Sequence, residues 1–179
     1  MYKDLLKLSR ETIKSKLDGK KLIINEEIKK KYSKKQACFV TLTINNELRG
    51  CIGSLESYQE LWKDVIDNSI NAAFNDPRFN PLDKNELKNV NIEISILSVA
   101  KKLNFKTPED LLKKIDMKMG LILKKGFYSS TFLPQVWEQI PEKINFLEHL
   151  SLKAGLTKDD WKSSNFWFYR VESIKEENK

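Results

Sequence analysis

The residues ACFVTLTI (37–44), Asn45-Asn46 and ELRGCIG (47–53) constrain this chain more than any other stretch. The first run is β-branched and apolar, the two asparagines tolerate positive φ, and a second extendable run follows at once. That combination predicts a β-hairpin, and therefore antiparallel sheet. Phe39, Val40 and Leu42 make the first strand apolar on both faces, which places it centrally in its sheet.

The remaining signals mix helices and strands without βαβ alternation. Leu5, Leu6, Leu8, Ile13 and Leu17 give residues 2–17 one apolar helical face, closed by Gly19, and a short second helix is expected within 22–32. Ser57 and Glu60 spell a capping box ahead of a helix with Leu61, Trp62, Val65, Ile66, Ser69, Ile70 and Ala73 on one stripe. Pro77 and Pro81 end it, and a short helix near 82–87 follows. VNIEISILS (90–98) alternates as a strand with one covered face. Thr107-Pro108 starts a helix, and MGLIL reads as a strand leading to the turn at Gly126. Pro141 opens a helix ending at Gly155, Thr157 caps one more turn, and FWFYRV reads as a final strand. The class is α+β with antiparallel sheet.

A chain of 179 residues forms one domain or two small lobes. No long uncharged apolar run and no N-terminal apolar core of a signal peptide is present, so a soluble, cytoplasmic protein without membrane contact is expected. Cys38 and Cys51 stand far from the single histidine, His149, and cannot build a common four-ligand zinc site. Neither a metal nor a cofactor is expected, and both cysteines read as free thiols. Residues 14–35 hold nine lysines against Asp18, Glu26 and Glu27, six of the seven net positive charges. With no arginine and Tyr32 as its one aromatic residue, this segment offers little means of base readout or stacking, so it reads as a solvated surface and nucleic acid ranks last among partners.

Only four of the 32 basic residues are arginine, at 10, 49, 78 and 170. Strand alternation puts Leu48 and Ile52 on one side and Arg49 and Cys51 on the other. A guanidinium near a thiol favours the nucleophilic thiolate, and Gly50 and Gly53 would leave backbone amides open to a ligand. Against this stands the structural reading, in which Cys51 is a small hydrophobe, the glycines mark a bulge and the arginine pairs with a carboxylate. Cys38, inside the apolar strand, reads as core. Arg78, between two prolines, is placed either to hold a carboxylate or phosphate or to tie its own loop. The only histidine available as a base for a cysteine nucleophile is His149, in FLEHLSL, a packing or surface position on a helix.

In family order, FVTLTINNELRGCIGSLE, AAFNDPRFNPLDKNEL, NIEISILS, GLIL, FLPQVW and FLEHLSLKAGL closely resemble the AMMECR domain family, called AmmeMemoRadiSam system protein A in bacteria and archaea. The resemblance implies a single two-lobed domain over 1–175, followed by a polar tail at 176–179. The larger lobe would contain both termini, each lobe would be built on an antiparallel sheet with helices, and LRGCIG would face an inter-lobe cleft. It also implies a role beside a Memo-type protein and a radical-SAM enzyme. Many relatives carry cysteine where this chain has Ser151, so chemistry needing that second thiol is not expected here.

Two functions compete. In one, the cleft binds a metabolite or partner protein and Arg49, Gly50, Gly53 and Arg78 form the binding wall. In the other, Cys51 is the catalytic nucleophile or proton donor of an enzyme, with Arg49 and Arg78 orienting an anionic substrate.

Overall fold

A computed structural model describes residues 2–176. The chain divides into two units, one built from the residues up to Leu97 together with those from Glu172 onward, the other from Ser98–Val171. The fold is α+β, with two antiparallel four-stranded sheets flanked by helices.

In the first unit, helices α1 (Lys3–Leu17) and α2 (Glu26–Lys31) precede the hairpin β1 (Cys38–Ile44) and β2 (Glu47–Gly53). Asn45 and Asn46 both take positive φ, 52° and 66°, and turn the hairpin as their chemistry predicts. Helix α3 (Leu61–Ile70) runs into a π-helical segment, Asn71–Asn75. The short helix α4 (Lys84–Leu87) leads to β3 (Val90–Leu97), and the chain returns at its end as β8 (Val171–Lys175). The sheet order is β2-β1-β3-β8, so β1 is central. Its buried Cys38, Val40 and Leu42 pack with Val90, Ile92, Ile94 and Ile96 of β3 against Leu5, Leu8 and Ile13 of α1 and Leu61 and Val65 of α3. Each such fully buried aliphatic side chain contributes about 1.5–3 kcal/mol.

Helix α3 does not start from the Ser57–Glu60 capping box. It begins at Leu61 without a side-chain cap. The amides of Leu61 and Trp62 donate instead to the carbonyls of Lys34 and Tyr32, at 3.0 and 3.4 Å. Backbone from a distant segment thus fills the role that the local serine was expected to play. Buried Asp64 on the same helix accepts from the Cys38 amide, the Ser54 hydroxyl and the Gln59 and Asn68 amides, which locks α3 to β1.

The second unit contains β4 (Lys101–Leu103), α5 (Pro108–Lys114), β5 (Gly120–Lys125), β6 (Tyr128–Phe132), α6 (Val136–Gln139), α7 (Lys143–Lys153), a 3-10 turn (Lys158–Ser163) and β7 (Asn165–Tyr169). Its sheet order is β4-β7-β5-β6. Leu103, Leu121, Leu123 and Phe166 of the sheet pack with Leu111, Trp137, Phe146, Leu147 and Leu150. Trp137 stacks on Phe146, with ring centres 3.6 Å apart, and its indole N–H donates to the Met119 carbonyl.

FWFYRV is two strands rather than one. It breaks at Arg170, whose backbone carbonyl accepts from the Ser98 amide and whose amide donates to the Ser98 hydroxyl. β7 then belongs to one sheet and β8 to the other. Glu176, read as the start of the tail, pairs with Arg10 and accepts from the Ile92 amide, and residues 177–179 of that tail lie outside the described residues.

Candidate functional site

LRGCIG occupies most of β2, and its surroundings are the π-segment and the loop that runs from Asp76 to α4. Register runs Thr41↔Cys51 and Leu42↔Gly50, then skips to Thr43↔Leu48. Arg49 is therefore the extra residue of a β-bulge, which re-aims a side chain and interrupts simple alternation. Leu48 consequently pairs on the Thr41–Thr43 side with Cys51 and does not share the face of Ile52.

Arg49 is clamped. Its Nε and Nη2 donate to the two carboxylate oxygens of Glu86 at 2.8 and 3.0 Å, and Nη2 also donates to the Asn80 carbonyl at 2.9 Å. Glu86 is also the third residue of the α4 capping box, accepting from the Asp83 amide at 3.0 Å while the Asp83 carboxylate accepts from Asn85 and Glu86. One carboxylate thus starts the helix and fixes the arginine. The guanidinium holds the Glu86 carboxyl below its ordinary range, and the carboxylate raises Arg49 in return.

Asp76, which sequence reasoning did not single out, organises the other half. Its buried carboxylate accepts four N–H bonds, from the Cys51 amide (2.9 Å), the Arg78 amide (3.1 Å), Arg78 Nε (2.9 Å) and Arg78 Nη2 (2.7 Å). Arg78 Nη2 also donates to the Cys51 carbonyl at 3.1 Å. The Arg78 guanidinium, with those amides, holds the Asp76 carboxyl far below the usual carboxylate range. Both backbone polar groups of Cys51 are therefore engaged by Asp76 and Arg78. The signal in the sequence was the DPR spelling itself, in which an aspartate two residues before an arginine reaches both its amide and its fork.

The Cys51 thiol is half-buried and accepts from the Thr41 hydroxyl, 3.3 Å away. That hydroxyl is the one hydrogen-bond partner of Cys51 Sγ among the described residues, and it is not a base. His149 is exposed on α7, its Nδ1 2.9 Å from the Asn145 carbonyl oxygen. Cys38 is fully buried, and burial, followed by the Asp64 charge, pushes its thiol well up. Ser151 is buried in the second unit's core, and its hydroxyl has no partner among the described residues.

The room beside the two glycines is taken by the chain itself. A Cβ on Gly50 would lie 2.1 Å from the Ala72 carbonyl oxygen in the π-segment, and one on Gly53 2.3 Å from the Phe39 ring. Gly50 lets the π-segment sit directly on β2, and this close backbone contact explains the residue type. Among the described residues, no group of three or more His, Cys, Asp or Glu is arranged to hold a metal ion, and no helix is long and apolar enough to cross a membrane.

Beside these clamps lies an open depression of about 510 Å³ lined by Arg49, Arg78, Phe79, Asn80, Pro81, Asp83 and Glu86. Both guanidinium carbons lie within 5.8 Å of the Phe79 ring centre, and Nη1 of each arginine has no hydrogen-bond partner among the described residues. The carboxylates of Glu86 and Asp83 share the lining, so binding here rests on directed N–H donors rather than on a strong net field.

The AMMECR1 family pattern matches residues 6–175. The chain is 41% identical to protein NEQ441 of Nanoarchaeum equitans, over 88% of this chain and 89% of that one. It is 37% identical to protein MK0488 of Methanopyrus kandleri, over 94% and 84% respectively. The crystal structure of the uncharacterized protein PH0010 from Pyrococcus horikoshii superposes with a TM-score of 0.83 at 32% identity, covering 98% of this chain and 91% of that one. The chain belongs to the AMMECR1 family.

Proposed function

We propose that this protein is a binding component rather than an enzyme. The depression beside LRGCIG grips an anionic group of a metabolite or partner protein, and the protein works in the cytoplasm beside a Memo-type protein and a radical-SAM enzyme. The observation that carries this reading is the pair of guanidinium groups. Each is clamped on one edge by a carboxylate, each keeps Nη1 without a partner among the described residues, and both line one depression beside Phe79. Donors fixed before binding lose little freedom when a ligand arrives. The volume falls within the range of about 300–1,000 Å³ common for small-molecule sites. Cys51 serves as wall: its backbone is held by Asp76 and Arg78, and its thiol meets a hydroxyl rather than a general base. A cysteine-dependent mechanism would need that base from the substrate or a partner.

The test is co-expression of the tagged protein with the Memo-type and radical-SAM proteins of its own genome, followed by co-purification. Wild type and Cys51→Ser are expected to retain the partners, and Arg78→Gln to lose them while staying folded by circular dichroism. Loss in Cys51→Ser with retention in Arg78→Gln would overturn the reading. Failure of the wild type to retain either protein would remove the proposed partners.

A further inference from the structure

The sheet of the second unit carries a surface that the depression on the first unit does not explain. Register sets Lys102 of β4, Trp167 of β7, Ile122 of β5 and Thr131 of β6 side by side, with Asn165, Lys124 and Ser129 in a second row. Phe166 and Leu123 are buried in the core, so alternation puts Trp167 and Lys124 on the opposite face. The ammonium groups of Lys102 and Lys124 lie 5.8 and 5.3 Å from the Trp167 ring centre. Neither forms an ion pair among the described residues, and no acidic residue occurs in β4, β5, β6 or β7. Phe127, at the tip of the β5–β6 hairpin beside Lys124 and Lys125, is fully exposed.

We propose that this face binds single-stranded nucleic acid. A base stacks on Trp167 while Lys102 and Lys124, from the strands on either side, swing from the ring to the flanking phosphates, and the strand runs along β5 toward Phe127. From Ile122, beside Trp167, to Lys125 the strand rises roughly 10 Å before the turn that carries Phe127, room for a short oligonucleotide.

Trp62 in the first unit gives the internal contrast. It also has two lysines near its ring, but Lys29 is paired with Glu26 and Lys63 with Glu60. Of these two indole rings, Trp167 is the one whose lysines have no ion pair among the described residues. The lysine-rich segment 14–35 has one aromatic residue, Tyr32, and the lysine over its ring, Lys31, is paired with Asp4, whereas the fold sets Trp167 beside two lysines without an ion pair among the described residues, drawn from strands distant in sequence. An acidic peptide would satisfy the lysines but would leave the ring without a flat partner.

The test is fluorescence anisotropy with short labelled oligothymidylate and oligouridylate and the full chain. Binding is expected to weaken steeply with salt. Lys102→Glu/Lys124→Glu and, independently, Phe127→Ala should each reduce affinity about tenfold without altering thermal stability. Phe127 has no packing to lose, which keeps its variant informative if the double reversal disturbs the sheet. Lys20→Glu/Lys21→Glu should change affinity by less than about twofold. Absence of binding at low salt, equal affinity in both sheet variants, or polyglutamate competing as well as oligothymidylate would overturn the proposal.

Discussion

Replacing Asp76 with asparagine tests how β2 is held. The buried carboxylate accepts four N–H bonds, two on each oxygen, and the amide of asparagine keeps one acceptor and turns an NH2 toward the other pair of donors. One part-buried backbone amide is left facing a donor at the buried position 76, which costs about 1–3 kcal/mol. The lost charge pairing with Arg78 adds less than a fully buried pair would, because the Arg78 side chain is 53% exposed and water takes over part of its bonding, leaving about 1 kcal/mol. The sum is about 2–4 kcal/mol, which for a chain of this size lowers Tm by roughly 5–15 °C. Urea unfolding at neutral pH reads the difference directly. Repeating it across acidic pH adds a signature. A carboxyl held below its ordinary value supplies stability that is fully present above about pH 4 and is lost as pH falls through the lower folded value, so the gap between wild type and variant must narrow in acid. A loss below about 0.5 kcal/mol at neutral pH, the ordinary scatter of surface changes, would refute the reasoning, as would a gap that widens in acid.

Gly50→Ala forces a methyl group against the Ala72 carbonyl and should destabilise by about 1–3 kcal/mol or more, again by urea unfolding, whereas Gly126→Ala meets no atom within 4 Å and is penalised only by its positive φ. Thiol titration of the native protein should label Cys51 alone, with Cys38 reacting only after denaturation, since Cys38 is fully buried. Ser151→Cys should raise stability by about 1 kcal/mol, because it replaces an unpartnered buried hydroxyl with a group at home in apolar surroundings.

Features fixed by short-range chemistry were legible in the sequence. The Asn45-Asn46 hairpin, the Thr107 cap and the Gly155 stop of α7 all depend on residues within a few positions of one another, and the apolar run of β1 marks it as central without reference to its partner β3. Where distant backbone supplied the partner, local spelling misled. Ser57 and Glu60 looked like a cap, but the carbonyls of Tyr32 and Lys34 take the helix amides. β4 and β6 are short strands rich in lysine, serine and threonine, held in place by β7 and β5, so their own patterns carried little signal. At the site, the sequence pointed to Arg49, Cys51 and Arg78 but not to what holds them, because Glu86 lies 37 residues from Arg49 and Asp76 lies 25 from Cys51. Gly50 read as an opening for a ligand. It is an opening for the chain's own π-segment.

The claim that the Arg49 and Arg78 donors, and not the Cys51 thiol, form the binding surface is tested most directly by titrating the nitrogen-15-labelled protein with citrate as a polyanionic probe. Saturable shifts of the Arg49 and Arg78 Nε–H signals are predicted, unchanged in Cys51→Ser and weakened about tenfold in Arg78→Lys, which keeps the charge but loses the fork. Shifts that vanish in Cys51→Ser, or that persist undiminished in Arg78→Lys, would contradict the account.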